Sequence, residues 1–337
     1  MSYKQMTGNI ISATKVEPDG IFITSAASGV WNLQEQYDYV RGGNWPNAAN
    51  LAATGIFHAG YGAATNVLDQ LTISTTGNTT DWGDLTLSRY EDAGASNSIR
   101  GLFAGGENAG SSFVNTVDYI VFATVGNATD FGDLGATSYT SAGVSNSTRA
   151  VFGGRIGGTS DNRMEYFTID SAGNATDFGD QSVTRYQLGG CQSSTRGVFG
   201  GGNSTSDVID YITTASVGNA TDFGNLTVGR KSRGGASNTT RGMFFGGESS
   251  GDNNIVDYIT IASTGNATDF GNLTQENSMH CMSVASSTRA VSTNGNNKTN
   301  IDYFTIASTG NATDFGDLSS GSGPNGAVSN AHGGIAA

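Results

Sequence analysis

Five arginines recur along the sequence, Arg100, Arg149, Arg196, Arg241 and Arg289, and each is followed by an acidic residue: Asp118, Glu165, Asp210, Asp257 and Asp302. A planar guanidinium opposite a carboxylate is suited to bidentate hydrogen bonding, and a ring of such groups could hold a carboxylate or sulfate ligand. The plainer reading is a set of ion pairs that fix register within or between repeated units. It is preferred, because a functional site is rarely copied into every unit. An early unit carries Asp69 but has Thr54 in place of the arginine and Gln70 where later units have tyrosine.

Other reactive residue types form no comparable set. Asp130 and Asp133, with similar pairs elsewhere, could bind calcium, although aspartates that cap turns account for them more simply. The Asp-Phe-Gly triplet holds magnesium in kinases, but here it recurs without a phosphate loop or catalytic loop. His58, His280 and His332 are dispersed, without metal-ligand spacing. Cys191 and Cys281 lie in different units and read as small buried apolar residues. No catalytic residue, metal site or cofactor is expected, and no nucleophile elbow is visible.

The elements that position these residues follow from one phrase. Gly-Asn-Ala-Thr-Asp-Phe-Gly-Asp-Leu occupies residues 126–134, and close variants begin at Gly77, Gly173, Gly218, Gly265 and Gly310, spaced 49, 47, 45, 47 and 45 residues apart. Such a period marks an array of supersecondary units. The phrase opens with turn residues and leads into an aromatic anchor, Trp82, Phe131, Phe178, Phe223, Phe270 or Phe315. Upstream lies an alternating β-branched and aromatic run such as Val117-Asp118-Tyr119-Ile120-Val121-Phe122. A second recurring element, Ser-Asn-Ser-Thr-Arg followed by Gly-Gly, completes a unit of four antiparallel strands.

Four short strands per unit is the content of a propeller blade. The expected fold is therefore all-β: a propeller of six four-stranded blades over residues 51–337, with seven as the alternative. Its first unit lacks a good first strand, whereas Leu318 to Ser329 repeats the spacing of Leu85 to Ser96. The tail should close the ring on the first blade. In the seven-blade alternative, residues 47–54 supply that strand and the tail starts another blade. Residues 1–50 lie outside the array and read as a small hairpin plus one short helix, with Leu33, Tyr37 and Val40 on one face and Trp31 and Trp45 beside it. They form a candidate docking segment.

Composition narrows the function further. The chain of 337 residues has 50 Gly, 13% charged residues and a net charge of −13, which opposes binding to a nucleic-acid backbone. No run approaches the roughly 20 apolar residues of a membrane span, and the first residues lack the apolar core of a signal peptide. Synthesis in the cytoplasm and no membrane insertion are expected. The turns joining first to second and third to fourth strands are nearly uniform and must share one face of the ring. The loops between second and third strands differ in every unit and share the opposite face, where recognition usually resides.

The Arg, Gly-Gly, Asp-Tyr and aromatic order of each unit resembles the kelch repeat, with Phe where kelch usually has Trp; Trp82 alone keeps Trp. The wording Thr-Ile-Ala-Ser-Thr-Gly-Asn-Ala-Thr-Asp-Phe-Gly-Asp-Leu at residues 305–318 is similar to repeat proteins of tailed phages of marine cyanobacteria. Gly29-Val30-Trp31-Asn32-Leu33 and Gly43-Asn44-Trp45-Pro46 also resemble segments of such phage structural proteins. This resemblance implies a virion protein made in the host cytoplasm: a tail-associated or fibre-like appendage without enzymatic activity, present in symmetric copies. Its partners would be other virion proteins through residues 1–50 and a host surface glycan at the variable-loop face. A head or neck decoration without ligand and an intracellular kelch-type scaffold are the alternatives. The histidines are too few for the copper-dependent oxidase chemistry that the kelch likeness suggests.

Overall fold

The third strand of each unit is covered on both faces. In Thr116–Val121, Val117, Asp118 and Ile120 are buried and Tyr119 half-buried. A sheet with two apolar faces has to be sandwiched between neighbours, so the units stack side by side and close around an axis. The computed structural model describes residues 52–60, 64–139, 142–157, 159–231, 234–277, 281–295, 298–319 and 324–335. The hairpin, helix and docking residues expected in 1–50, Trp31, Leu33, Tyr37, Val40 and Trp45 among them, lie outside the described residues, as does His280.

Six four-stranded antiparallel blades make a β-propeller. Blade 1 comprises, from the axis outward, Pro324–Ser329, Thr54–Ala59, Thr65–Thr72 and Thr80–Tyr90. Blade 2 comprises Ala93–Ser96, Arg100–Ala104, Thr116–Val121 and Thr129–Asp133; blade 3, Ala142–Ser145, Arg149–Gly153, Arg163–Thr168 and Thr176–Asp180. Blade 4 comprises Gly189–Gln192, Arg196–Gly200, Val208–Thr213 and Thr221–Asn225; blade 5, Gly234–Ser237, Arg241–Glu248, Asp252–Thr260 and Thr268–Asn277. Blade 6 comprises Ser283–Ala285, Arg289–Thr293, Asn300–Thr305 and Thr313–Asp317. The tail does close the ring: Val328 pairs with Ile56 and Ser329 with Gly55. Pro324–Ser329 also touches the first strands of blades 2 and 6, so the innermost strands follow one another without a gap.

Apolar clusters sit between blades. One joins Leu102, Val117 and Phe131 of blade 2 to Phe152, Phe167 and Ile169 of blade 3; another joins Phe57, Leu71 and Ile73 of blade 1 to Val284, Val291 and Phe315 of blade 6. All six anchors, Trp82, Phe131, Phe178, Phe223, Phe270 and Phe315, are buried. In blades 2 to 6 the anchor meets the third-strand tyrosine edge-to-face, as Tyr119 meets Phe131 at 5.6 Å and Tyr303 meets Phe315 at 6.1 Å.

The nine-residue phrase is more than a hairpin turn, because its copies bind one another. Gly173 donates its N–H to Phe131 O (2.8 Å), Ala175 donates to Asp133 O (2.8 Å), and Asn174 Oδ1 accepts from Asp133 N (3.1 Å). Equivalent bonds link the other blades and span the seam, where Gly77 donates to Phe315 O and Thr79 to Asp317 O. The result is a belt around the outer rim. It demands glycine inside the phrase: Gly132 has φ 145°, and a β-carbon there would lie 2.3 Å from Gly173 O.

Candidate functional site

The recurring arginines and acids do not pair with each other. In blade 2, Arg100 is opposite Val121 while Asp118 is opposite Phe103. The two residues are therefore three registers apart and project from opposite faces of the sheet, since side chains alternate along a strand. The same offset separates Arg149 from Glu165, Arg196 from Asp210, Arg241 from Asp257 and Arg289 from Asp302. The expected Arg–acid pairs are thus corrected: each member reaches a different neighbour.

The arginines bind the blade that follows. Arg100 stacks 5.0 Å over the Tyr119 ring and donates from Nη1 to Ile169 O of blade 3 at 3.1 Å. Arg149, Arg196, Arg241 and Arg289 do likewise over Tyr166, Tyr211, Tyr258 and Tyr303, donating to Thr214 O, Ile261 O, Ile306 O and Ile73 O. Thr54 holds the equivalent position in blade 1. No guanidinium of this set is directed at an open ligand site.

The acids face the preceding blade. Asp118 accepts from the Thr86 hydroxyl (2.6 Å) and is paired with Arg89 at 3.0 Å, both charges being buried. Asp210 pairs with Arg185 at 2.9 Å and Asp257 with Arg230 at 2.8 Å. Each of these arginines also donates to the carbonyl of a second-strand phenylalanine, Phe103, Phe199 or Phe244. Burial pulls the Arg185 guanidinium below its usual range while Asp210 opposes the shift. Thr274 alone among the described residues of blade 5 binds Asp302, through its N–H and hydroxyl, and burial raises that carboxyl above the ordinary range. Ser319 donates to Asp69 across the seam.

Arg89, Arg185 and Arg230 escaped the sequence reading, though a signal existed. Each lies four residues beyond the last residue of the phrase, Leu85, Gln181 or Leu226. Blade 3 shows why the series looks broken. There the fourth position is Ser138, and Arg155 enters from the other side to meet Glu165 at 3.3 Å and the Ser138 hydroxyl at 3.3 Å. Arg155 stands where blades 2, 4 and 5 have the second Gly of Gly-Gly, Gly106, Gly202 and Gly247. A β-carbon at Gly106 would lie 3.2 Å from Arg89 Cδ, and one at Gly202 would lie 3.1 Å from Arg185 Cβ. Glycine makes room for the incoming arginine, or arginine and serine exchange places.

These clamps fix what the next residue presents. The fifth position past the phrase is Tyr90, Tyr139, Tyr186 and Lys231 at the first four junctions, and its backbone is tied to the loop of the following blade. Tyr90 pairs with Glu107, and Tyr139 and Ile156 exchange both backbone bonds (3.2 and 3.3 Å). Tyr186 accepts from Asn203 N (2.8 Å) and donates to Asn203 Oδ1 (3.0 Å); Lys231 and Glu248 exchange bonds of 2.9 Å. On the variable-loop face this sets an arc of half-buried rings, with Phe113 5.6 Å from Tyr139 and Tyr139 6.1 Å from Tyr186, all edge-to-face. At its blade 1 end, burial and the hydrogen-bonded Glu107 carboxylate push the Tyr90 phenol up to about 12.

The axis offers no comparable site. Its cavity holds about 50 Å³, lined by small residues such as Gly94, Gly143, Gly190 and Gly235, which is room for little more than water. His332 closes one end, bound to Ser96 O through Nε2 (2.8 Å) and to the Gln192 amide through Nδ1 (3.0 Å). His58 is also committed: Nδ1 faces Asp92 at 2.6 Å and Nε2 faces Thr65 O at 3.0 Å, so neither nitrogen is open to a metal or a substrate proton. Cys191 and Cys281 are buried thiols outside any disulfide, and burial pushes Cys281 up to about 12. Among the described residues no group of three or more His, Cys, Asp or Glu could hold a metal ion, and no helix is long and apolar enough to cross a membrane. No protein-family model matches the chain, and no curated protein matches it.

Proposed function

We propose that the propeller is a non-catalytic recognition module that binds host surface glycan through its variable-loop face. The observation that carries this reading is the difference between the two faces. One is built from bonded copies of a single phrase and the Ser-Asn-Ser-Thr turns, while the other displays unlike loops and exposed parts of aromatic rings on a rigid frame. The recurring arginines and acids are committed to contacts between blades, and the axis holds only about 50 Å³.

The sequence likeness to cyanobacterial phage repeat proteins extends the proposal to a setting: a virion, on a tail-associated or fibre-like appendage, docked to other virion proteins through residues 1–50. Mass spectrometry of purified particles tests the setting, and electron cryomicroscopy of those particles tests the orientation. Outward display of the variable-loop face is the expected result. Burial of that face against capsid or tail protein would make the loops assembly contacts and the protein a head or neck decoration.

A further inference from the structure

We propose that Phe113, Tyr139 and Tyr186, with Glu107 beside them, form the subsite of this face that stacks a neutral saccharide; the proposal rests on the glycan-recognition reading above. Three features point to this ligand class. The rings are half-buried and held edge-to-face, 5.6 and 6.1 Å between centroids, so part of each stays open while the rest is locked by packing. Tyrosine offers a large amphipathic contact area at low entropic cost, and the electron-rich ring face suits the C–H face of a pyranose. The backbones of Tyr139 and Tyr186 are each fixed by two hydrogen bonds to the next blade, which preorganises the arc.

Charge selects among saccharides. Glu107 lies at one end of the arc, bridged to Phe113 and paired with Tyr90, and the chain carries a net charge of −13. A carboxylate accepts hydrogen bonds from sugar hydroxyls and repels sialyl, uronyl or sulfate groups. An uncharged hexose-containing oligosaccharide is therefore the occupant.

The test is binding of the full chain to an array of neutral, sialylated and sulfated oligosaccharides, followed by calorimetry with the best neutral oligosaccharide. Binding of neutral saccharides is expected, with affinity falling at least tenfold in Tyr186→Ala and several-fold in Glu107→Gln. Val217→Ala, on the opposite face, should stay within about twofold. If Tyr186→Ala proves unfolded by circular dichroism, Glu107→Gln decides. Neutral-saccharide binding indifferent to Tyr186→Ala and Glu107→Gln overturns this subsite and leaves the recognition reading standing. A preference for anionic saccharides overturns the ligand class. No saccharide binding of any kind overturns both.

Discussion

Arg155 meets Glu165 within blade 3 at 3.3 Å, taking the place that Arg89, Arg185 and Arg230 fill from the neighbouring blade. The exchange of an arginine for a glycine at one position, and of a serine for an arginine at the other, keeps one buried cation beside each of these four acids. Arg155→Gly should cost no more than about 3–5 kcal/mol, because Glu165 loses its buried partner but keeps the half-exposed Arg163 at 3.7 Å. Ser138→Arg alone should overpack the same space. Combining Ser138→Arg, Arg155→Gly and Glu165→Asp rebuilds the arrangement of the other blades and should recover most of the loss. Urea unfolding of the three proteins checks this, and a triple variant no better than Arg155→Gly would show that the two arrangements are not equivalent.

A related prediction concerns the pair itself. Arg89→Met should destabilise strongly because Asp118 is left buried and unneutralised, whereas Arg89→Met with Asp118→Leu should lie much closer to wild type. The coupling energy of that double-mutant cycle is the quantity to measure. A coupling near zero would mean that water compensates the pair.

The outer belt predicts a contrast between two glycines in contact. Gly316 has φ 149° and a β-carbon on it would sit 2.5 Å from Gly77 O; Gly77 has φ 154° but nothing within 4 Å of such a carbon. Gly316→Ala combines backbone strain with a clash at the ring seam, so its loss should exceed the roughly 1–3 kcal/mol of strain alone. Gly77→Ala should cost only the strain. Melting temperatures rank them, and equal losses would show that the close approach contributes nothing.

Ring closure by the tail predicts that removing residues 324–337 strips blade 1 of its first strand and exposes Ile56 and Phe57. Cooperative unfolding should disappear and the protein should aggregate on size-exclusion chromatography. Removing only 331–337 keeps that strand but loses the His332 closure. That shorter deletion should lower the melting temperature without abolishing the fold.

His332 also predicts a pH dependence. Burial lowers its folded value from 6.5 to about 4, so between those values the unfolded chain binds the proton that the folded chain refuses. Stability from this group is full above pH 6.5 and declines as pH falls, levelling near pH 4 at a cost of about 3 kcal/mol. His332→Gln should flatten this part of the stability profile. Asp302, raised by burial, acts with the opposite sign in the acid range, so the wild-type and variant curves must be compared directly.

The period, the four-strand unit, the turn chemistry and the closing role of residues 324–329 were all readable from the sequence. These depend on local alternation and on repetition, and each of six copies states them again. Tertiary structure decided which side chains meet. Arg100 and Asp118 have counterparts in blades 3 to 6, yet a two-residue side-chain alternation places them on opposite faces of the sheet, against different neighbours. The aromatic arc had the same limit: Phe113, Tyr139 and Tyr186 belong to three separate segments, and only the closing of blade on blade brings Tyr139 within 5.6 Å of Phe113 and 6.1 Å of Tyr186. Repetition reveals what each unit contains, whereas the partner of a side chain is set by the blade beside it.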